Sequence, residues 1–122
     1  MIYYNINGTI ELERWYRDDL LHRDGDLPAT ILYKSGAIRS QCWWRRGQLH
    51  REGDEPALIW YSDSAILLER WFQDGAYHRE GDLPAEIRYY ESGKIKSQCW
   101  YRVGQLHREG DLPAVICYSD NG

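Results

Sequence analysis

The sequence predicts an all-β protein: tandem β-hairpin repeats of 28–29 residues laid side by side into an elongated, twisted antiparallel sheet. Three observations carry this. One phrase, Leu21-His22-Arg23-Asp24-Gly25-Asp26-Leu27-Pro28-Ala29, returns at Leu49–Ala57, Tyr77–Ala85 and Leu106–Ala114, placing histidines at 22, 50, 78 and 107. After each Pro the pattern Ala-x-Ile-x-Tyr alternates with a period of two, at Ala29/Ile31/Tyr33, Ala57/Ile59/Tyr61, Ala85/Ile87/Tyr89 and Ala114/Ile116/Tyr118. Such alternation is that of a half-buried strand. Turn dipeptides at hairpin spacing separate the segments, and no window carries the three- and four-residue apolar spacing of a capped helix.

The elements follow in order. A half unit, residues 1–7, supplies a shortened strand through Ile2 and Tyr4, and four units follow at 8–35, 36–63, 64–92 and 93–122, making one repeat domain. Each unit opens on Gly or Ser and runs to an aromatic pair: Trp15-Tyr16, Trp43-Trp44, Trp71-Phe72 and Trp100-Tyr101. In the second unit Ile38, Ser40, Cys42 and Trp44 are expected on one face and Ala37, Arg39, Gln41 and Trp43 on the other. A two-residue turn comes next, at Asp18-Asp19, Arg46-Gly47, Asp74-Gly75 and Val103-Gly104. The Gly-Asp-x-Pro bend (Glu at x in the second copy) then puts Pro where its missing N–H matters least, and Ser35-Gly36, Ser92-Gly93 and Asn121-Gly122 read as turns after the Ile-x-Tyr strand. A longer period overlies this one: Leu-Glu-Arg-Trp at 12–15 and 68–71 alternates with Ser-Gln-Cys-Trp at 40–43 and 97–100. Alternate units are therefore expected to face different surroundings.

Composition narrows the function. A chain of 122 residues holds one ordinary domain. Its aromatics are 10 Tyr and 6 Trp against a single Phe, ring types that suit half-buried surfaces and interfaces. The formal charge of −4 creates no field that would draw in nucleic acid or anionic lipid, so neither is an expected partner. No apolar run approaches a membrane span and no secretory signal pattern opens the chain, which points to the cytoplasm. Three cysteines, Cys42, Cys99 and Cys117, fit a reducing compartment and are expected to be small buried hydrophobes.

The repeated polar residues call for a structural role. His22/Asp26, His50/Asp54, His78/Asp82 and His107/Asp111 are four like pairs, whereas an enzyme site needs unlike groups converging once. Units ~10 Å apart keep neighbouring imidazoles from sharing an ion, and one His with one Asp falls short of a usual zinc shell. No catalytic residue, metal or cofactor is expected. Asp is expected to accept backbone N–H bonds at the bend, and the His ring to bond across to a neighbouring strand. The Arg after each His, with the acid that follows, reads as a solvated ladder of charges. Trp15, Trp71 and Trp100 are expected to be framework. Specificity is expected where the repeat breaks: Leu32, Leu58, Trp60, Arg88 and Tyr90, with Trp43 and Trp44, form the expected partner-binding set.

The string Gly93-Lys94-Ile95-Lys96-Ser97, then Trp100-Tyr101, Gly104-Gln105-Leu106-His107, Tyr118 and Asn121-Gly122, recurs with small substitutions in all units. It resembles the MORN-type repeat, in the variant found in bacterial antitoxin-labelled proteins, phages and large DNA viruses. The resemblance implies hairpins side by side and a binding or scaffold role without catalysis, in the host cytoplasm if the source is a virus or phage. The expected function is a protein-binding module whose uncapped sheet edges favour a homo-oligomer. The alternative is a viral, phage or antitoxin-type inhibitor that blocks a partner enzyme, and behind it a lipid or nucleic-acid binder.

Overall fold

The computed structural model describes residues 1–120, so the expected turn at Asn121-Gly122 lies outside the described residues. Those residues form seventeen strands and no helix. Nine make one antiparallel sheet: β1 (Ile2–Tyr4), β2 (Ile10–Arg14), β5 (Thr30–Lys34), β6 (Ala37–Cys42), β9 (Leu58–Ser62), β10 (Ala65–Arg70), β13 (Glu86–Tyr89), β14 (Ile95–Cys99) and β17 (Val115–Cys117), adjacent in that order. The other eight pair into small hairpins: β3 (Tyr16–Arg17) with β4 (Leu20–Leu21), β7 (Trp44–Arg45) with β8 (Gln48–Leu49), β11 (Phe72–Gln73) with β12 (Ala76–Tyr77), and β15 (Tyr101–Arg102) with β16 (Gln105–Leu106). The large sheet is open, with β1 and β17 at its edges. At ~4.8 Å per strand it is about 38 Å wide, and each unit adds two strands.

Register assigns the faces. Tyr3, Leu12, Leu32, Ser40, Trp60, Leu68, Arg88, Ser97 and Cys117 pair in one continuous row across the sheet. The adjacent row, Ile2, Glu13, Ile31, Gln41, Ile59, Glu69, Ile87, Gln98 and Ile116, lies on the opposite face. One expectation is corrected here. Leu32 pairs with Ser40 but Tyr33 pairs with Ile38, so Arg39 is an extra bulge residue. The bulge turns Ile38 to the face of Gln41, away from Ser40 and Cys42. The same shift recurs between Ile66 and Leu68 and between Arg88 and Tyr89.

The isoleucine face is the core. Ala29, Ala57 and Ala85 are fully buried, and Ile31, Ile59, Ile87, Trp43, Trp71 and Trp100 are nearly so. The chain passes close by each alanine: the amide of each Trp donates to the Ala carbonyl later in its own unit, Trp43 to Ala57 at 2.8 Å and Trp71 to Ala85 at 2.7 Å. Tyrosine hydroxyls bridge strands on this face, Tyr61 to Gln41 at 2.8 Å, Tyr118 to Gln98 at 2.8 Å, and Tyr33 and Tyr89 to the carboxylates of Glu13 and Glu69. Burial, then the adjacent Glu13, pushes the Tyr33 phenol up to about 12. The repeating acceptors thus alternate Glu, Gln, Glu, Gln in one structural place.

The small-hairpin turns carry positive φ at both central residues, as in Arg46 (50°) and Gly47 (79°), the geometry that matches strand twist. Val103 sits in this left-handed region at φ 47° although it is β-branched and 71% exposed. Val103→Asn is therefore expected to stabilise the protein by about 1 kcal/mol, read as a higher midpoint in chemical denaturation at unchanged slope.

Candidate functional site

Two constellations stand out: a polar clamp repeated at every junction between units, and an apolar groove formed once on the other face.

The clamp is built around arginine. The guanidiniums of Arg23, Arg51, Arg79 and Arg108 lie over the rings of Trp15, Trp43, Trp71 and Trp100, with carbon-to-centroid distances of 4.1, 3.7, 3.9 and 3.8 Å. Each also donates to the carbonyl of its own bend proline, Pro28, Pro56, Pro84 and Pro113. Its remaining nitrogens reach back one unit: Arg51 Nε to Asp26 at 2.9 Å, Arg79 Nε to Asp54 at 2.8 Å and Arg108 Nε to Asp82 at 3.0 Å, each with a second, longer bond. The side chains of these three arginines are only 13% exposed. The expected solvated ladder is corrected accordingly. A planar, weakly hydrated cation can stack on indole and still present a fork to a carboxylate, which keeps it out of water. The expected role of Asp26, Asp54 and Asp82 is corrected with it, since they receive the next unit's guanidinium at the bend. That pairing holds Asp54 and Asp82 below the usual aspartate range.

Each histidine is a second tie. Nε2 meets the acid two residues on, Asp24, Glu52, Glu80 or Glu109, at 2.7–3.0 Å. Nδ1 of His22, His50 and His78 accepts the turn amides of Arg46, Asp74 and Val103 in the next unit, at 3.1, 2.9 and 3.3 Å. The amides of Gly47, Gly75 and Gly104 donate to the carbonyls of Leu21, Leu49 and Tyr77 beside them. The imidazoles thus reach the next unit's small turn instead of a neighbouring strand of the large sheet, which corrects that expectation. The histidines hold Asp24, Glu52, Glu80 and Glu109 below their ordinary values, chiefly through these hydrogen bonds. No group of three or more His, Cys, Asp or Glu among the described residues is arranged to hold a metal ion.

The groove lies on the opposite face, over β2, β5, β6 and β9. Tyr3, Leu12, Leu32, Ser40 and Trp60 line it, with Glu11, Lys34 and Arg39 among its polar groups, and it encloses about 690 Å³. Leu32 and Trp60 are 42% and 48% exposed and face the same hollow. Of the expected binding set, these two are brought together on one row. Arg88 lies farther along the same row, past the buried Leu68, and donates to Glu86 at 3.2 Å. Leu58 is half-buried in the adjacent row of this face, opposite Cys42 and Arg70. Trp44 bonds Thr30 Oγ1 through its indole N–H at 3.1 Å and lines a neighbouring hollow of about 630 Å³. Tyr90 is distant, its hydroxyl on the Tyr118 carbonyl at 2.9 Å. Trp43 is 7% exposed beneath Arg51, so its expected contact role is corrected to framework. Cys42 and Cys99 are half-buried and Cys117 is exposed, against the expectation of three buried thiols. Burial pushes the Cys99 thiol up to about 11.

Sequence reasoning missed Tyr3, Leu12 and Arg39 in the groove. Arg39 is aimed there by the bulge, for which a strictly alternating reading has no signal. No known protein family, curated protein or solved structure matches the chain.

The clamp makes quantitative predictions. Arg79→Ala removes the indole stack and the Asp54 pair together and is expected to cost about 2–3 kcal/mol by denaturant titration. Arg79→Lys keeps the charge without the fork and is expected to recover less than half of that. Because Asp54 and Asp82 titrate lower in the folded chain than in the unfolded one, the stability they contribute is present above the unfolded aspartate value of about 4. It is lost as pH falls through the depressed values. Melting temperatures measured from pH 5 to pH 2 are expected to fall less steeply in Asp54→Asn/Asp82→Asn than in the parent.

Proposed function

We propose that the protein is a non-catalytic protein-binding module, a MORN-like repeat platform working in the cytoplasm. The observation that carries this reading is the groove: an exposed leucine and an exposed tryptophan facing one hollow across Ser40, on a sheet whose clamp is otherwise uniform. Large aromatic and aliphatic side chains held rigidly by a sheet lose little entropy on contact and supply most of the affinity of a binding surface. Lys34 and Arg39 at the groove suit a partner segment that carries an acidic group beside its apolar anchors. The absence of any clamp contact to Leu32 or Trp60 leaves them free of the framework.

Affinity capture from the source cell with parent, Leu32→Ser and Trp60→Ser proteins tests the reading. A prey retained by the parent and reduced at least tenfold by both substitutions, at melting temperatures within 2 °C of the parent, is the expected result. Equal retention by all three proteins counts against it.

A further inference from the structure

The clamp has a direction. At three junctions the earlier unit offers a fixed set of acceptors and the later unit a fixed set of donors: Asp to Arg, His Nδ1 to a turn amide, and a carbonyl to the next turn amide. In the last unit the acceptors Asp111, His107 Nδ1 and the Leu106 carbonyl have no partner among the described residues. In the first unit the matching donors, the Arg23 nitrogens that would face a carboxylate and the amides of Asp18 and Asp19, likewise have none among those residues. Arg23 is nevertheless stacked on Trp15 and bonded to Pro28, as its equivalents are, so the donor is held ready.

Strand register supplies the rest. Within the array, Ile31-Leu32-Tyr33 pairs with Gln41, Ser40 and Ile38 of β6. At one edge Ile2-Tyr3-Tyr4 of β1 pairs in the same way with Glu13, Leu12 and Ile10 of β2. At the other edge, β17 presents the equivalent Ile116-Cys117, followed by Tyr118. β1 is a three-residue strand, exposed throughout, and Ile2–Tyr4 itself holds no aspartate or histidine.

We infer that copies of the chain join head to tail by strand exchange: β17 of one copy takes the place of β1 on β2 of the next. The same strand pairing is kept, with Ile116 opposite Glu13 and Cys117 opposite Leu12. Three contacts are gained that β1 cannot make: Asp111 to Arg23, His107 Nδ1 to the Asp18 amide and the Leu106 carbonyl to the Asp19 amide. The joint is then a fourth copy of the three internal junctions. Unlike surfaces meet, so the assembly is an open series of sizes rather than a closed dimer. The inference rests on the protein being an association module; the exchange replaces Tyr3 opposite Leu12 at one end of the groove and leaves Leu32 and Trp60 in place.

The test uses the full chain. Opposed residues of an antiparallel pair stand within disulfide reach, so Leu12→Cys is placed against the native Cys117 of another copy. Mild oxidation is expected to give a ladder of covalent multimers, abolished when Cys117→Ser is added. Asp111→Lys, an exposed position outside the core, is expected to reduce the ladder at least tenfold, and sedimentation of the parent is expected to show species growing with concentration. Trp60→Ser is expected to leave both readouts unchanged, so failure of the groove reading and failure of this one separate. A parent that stays monomeric to about 1 mM with no Leu12→Cys cross-link overturns the inference. So does a closed dimer linked through Cys117 on both copies.

Discussion

A one-layer sheet has no second layer to bury its faces, and the arginine clamp answers that constraint. Most domains hide an apolar face against another element. Here most of the nearly buried core is a strip of Ala, Ile and Trp on one face, with Leu68 buried on the other, and no large side chain is completely enclosed. The indoles would lie open if nothing covered them. The guanidinium does so, and being bonded to a proline carbonyl of its own unit and a carboxylate of the preceding one, it covers the ring and joins the units at once. Exposed ion pairs contribute little by themselves. Three-way fixation of a shielded cation changes that balance, because the side chain's entropy is lost once for several interactions.

The clamp also divides the sheet's labour. All conserved geometry between units is carried on the isoleucine face and in the small hairpins, with the tyrosine hydroxyls accepting no variation except Glu for Gln in the partner. The opposite face is released from that duty. There the two-unit period shows itself as Leu12, Ser40, Leu68, Ser97 in one row and Arg14, Cys42, Arg70, Cys99 in the next. The two-unit period thus marks both faces, as Glu or Gln beside the tyrosine hydroxyls on one and as Leu or Ser and Arg or Cys on the other. The groove arises where Leu12 and Leu32 meet the odd Trp60 across the small Ser40, so a hollow is left between large neighbours.

Much of this was legible in the residues, and the limits are particular. The strands after Pro28, Pro56, Pro84 and Pro113 follow from strict alternation, and the two-residue turns follow from their Gly and Asp content. The placement of Leu32 and Trp60 on one face follows from the same period of two. Arg39 and Ile38 did not follow, because one bulge residue reverses the face of everything beyond it. The clamp did not follow either. Arg23 and its three equivalents look solvated in a string rich in charge, and it is the small hairpin, closed by the histidine amide on the tryptophan carbonyl, that returns each one over an indole eight residues earlier.

Sequence alone determined the unit, its length and its local shape, because hairpins, turns and alternation are set by contacts between residues near in the chain. The tertiary structure decided what those units do to one another. Which arginine meets which aspartate, which imidazole nitrogen faces a turn amide, and which side chains are left uncovered depend on register between strands ~20 to 30 residues apart. A shift of one residue there would exchange the two faces, and no short-range rule reads it.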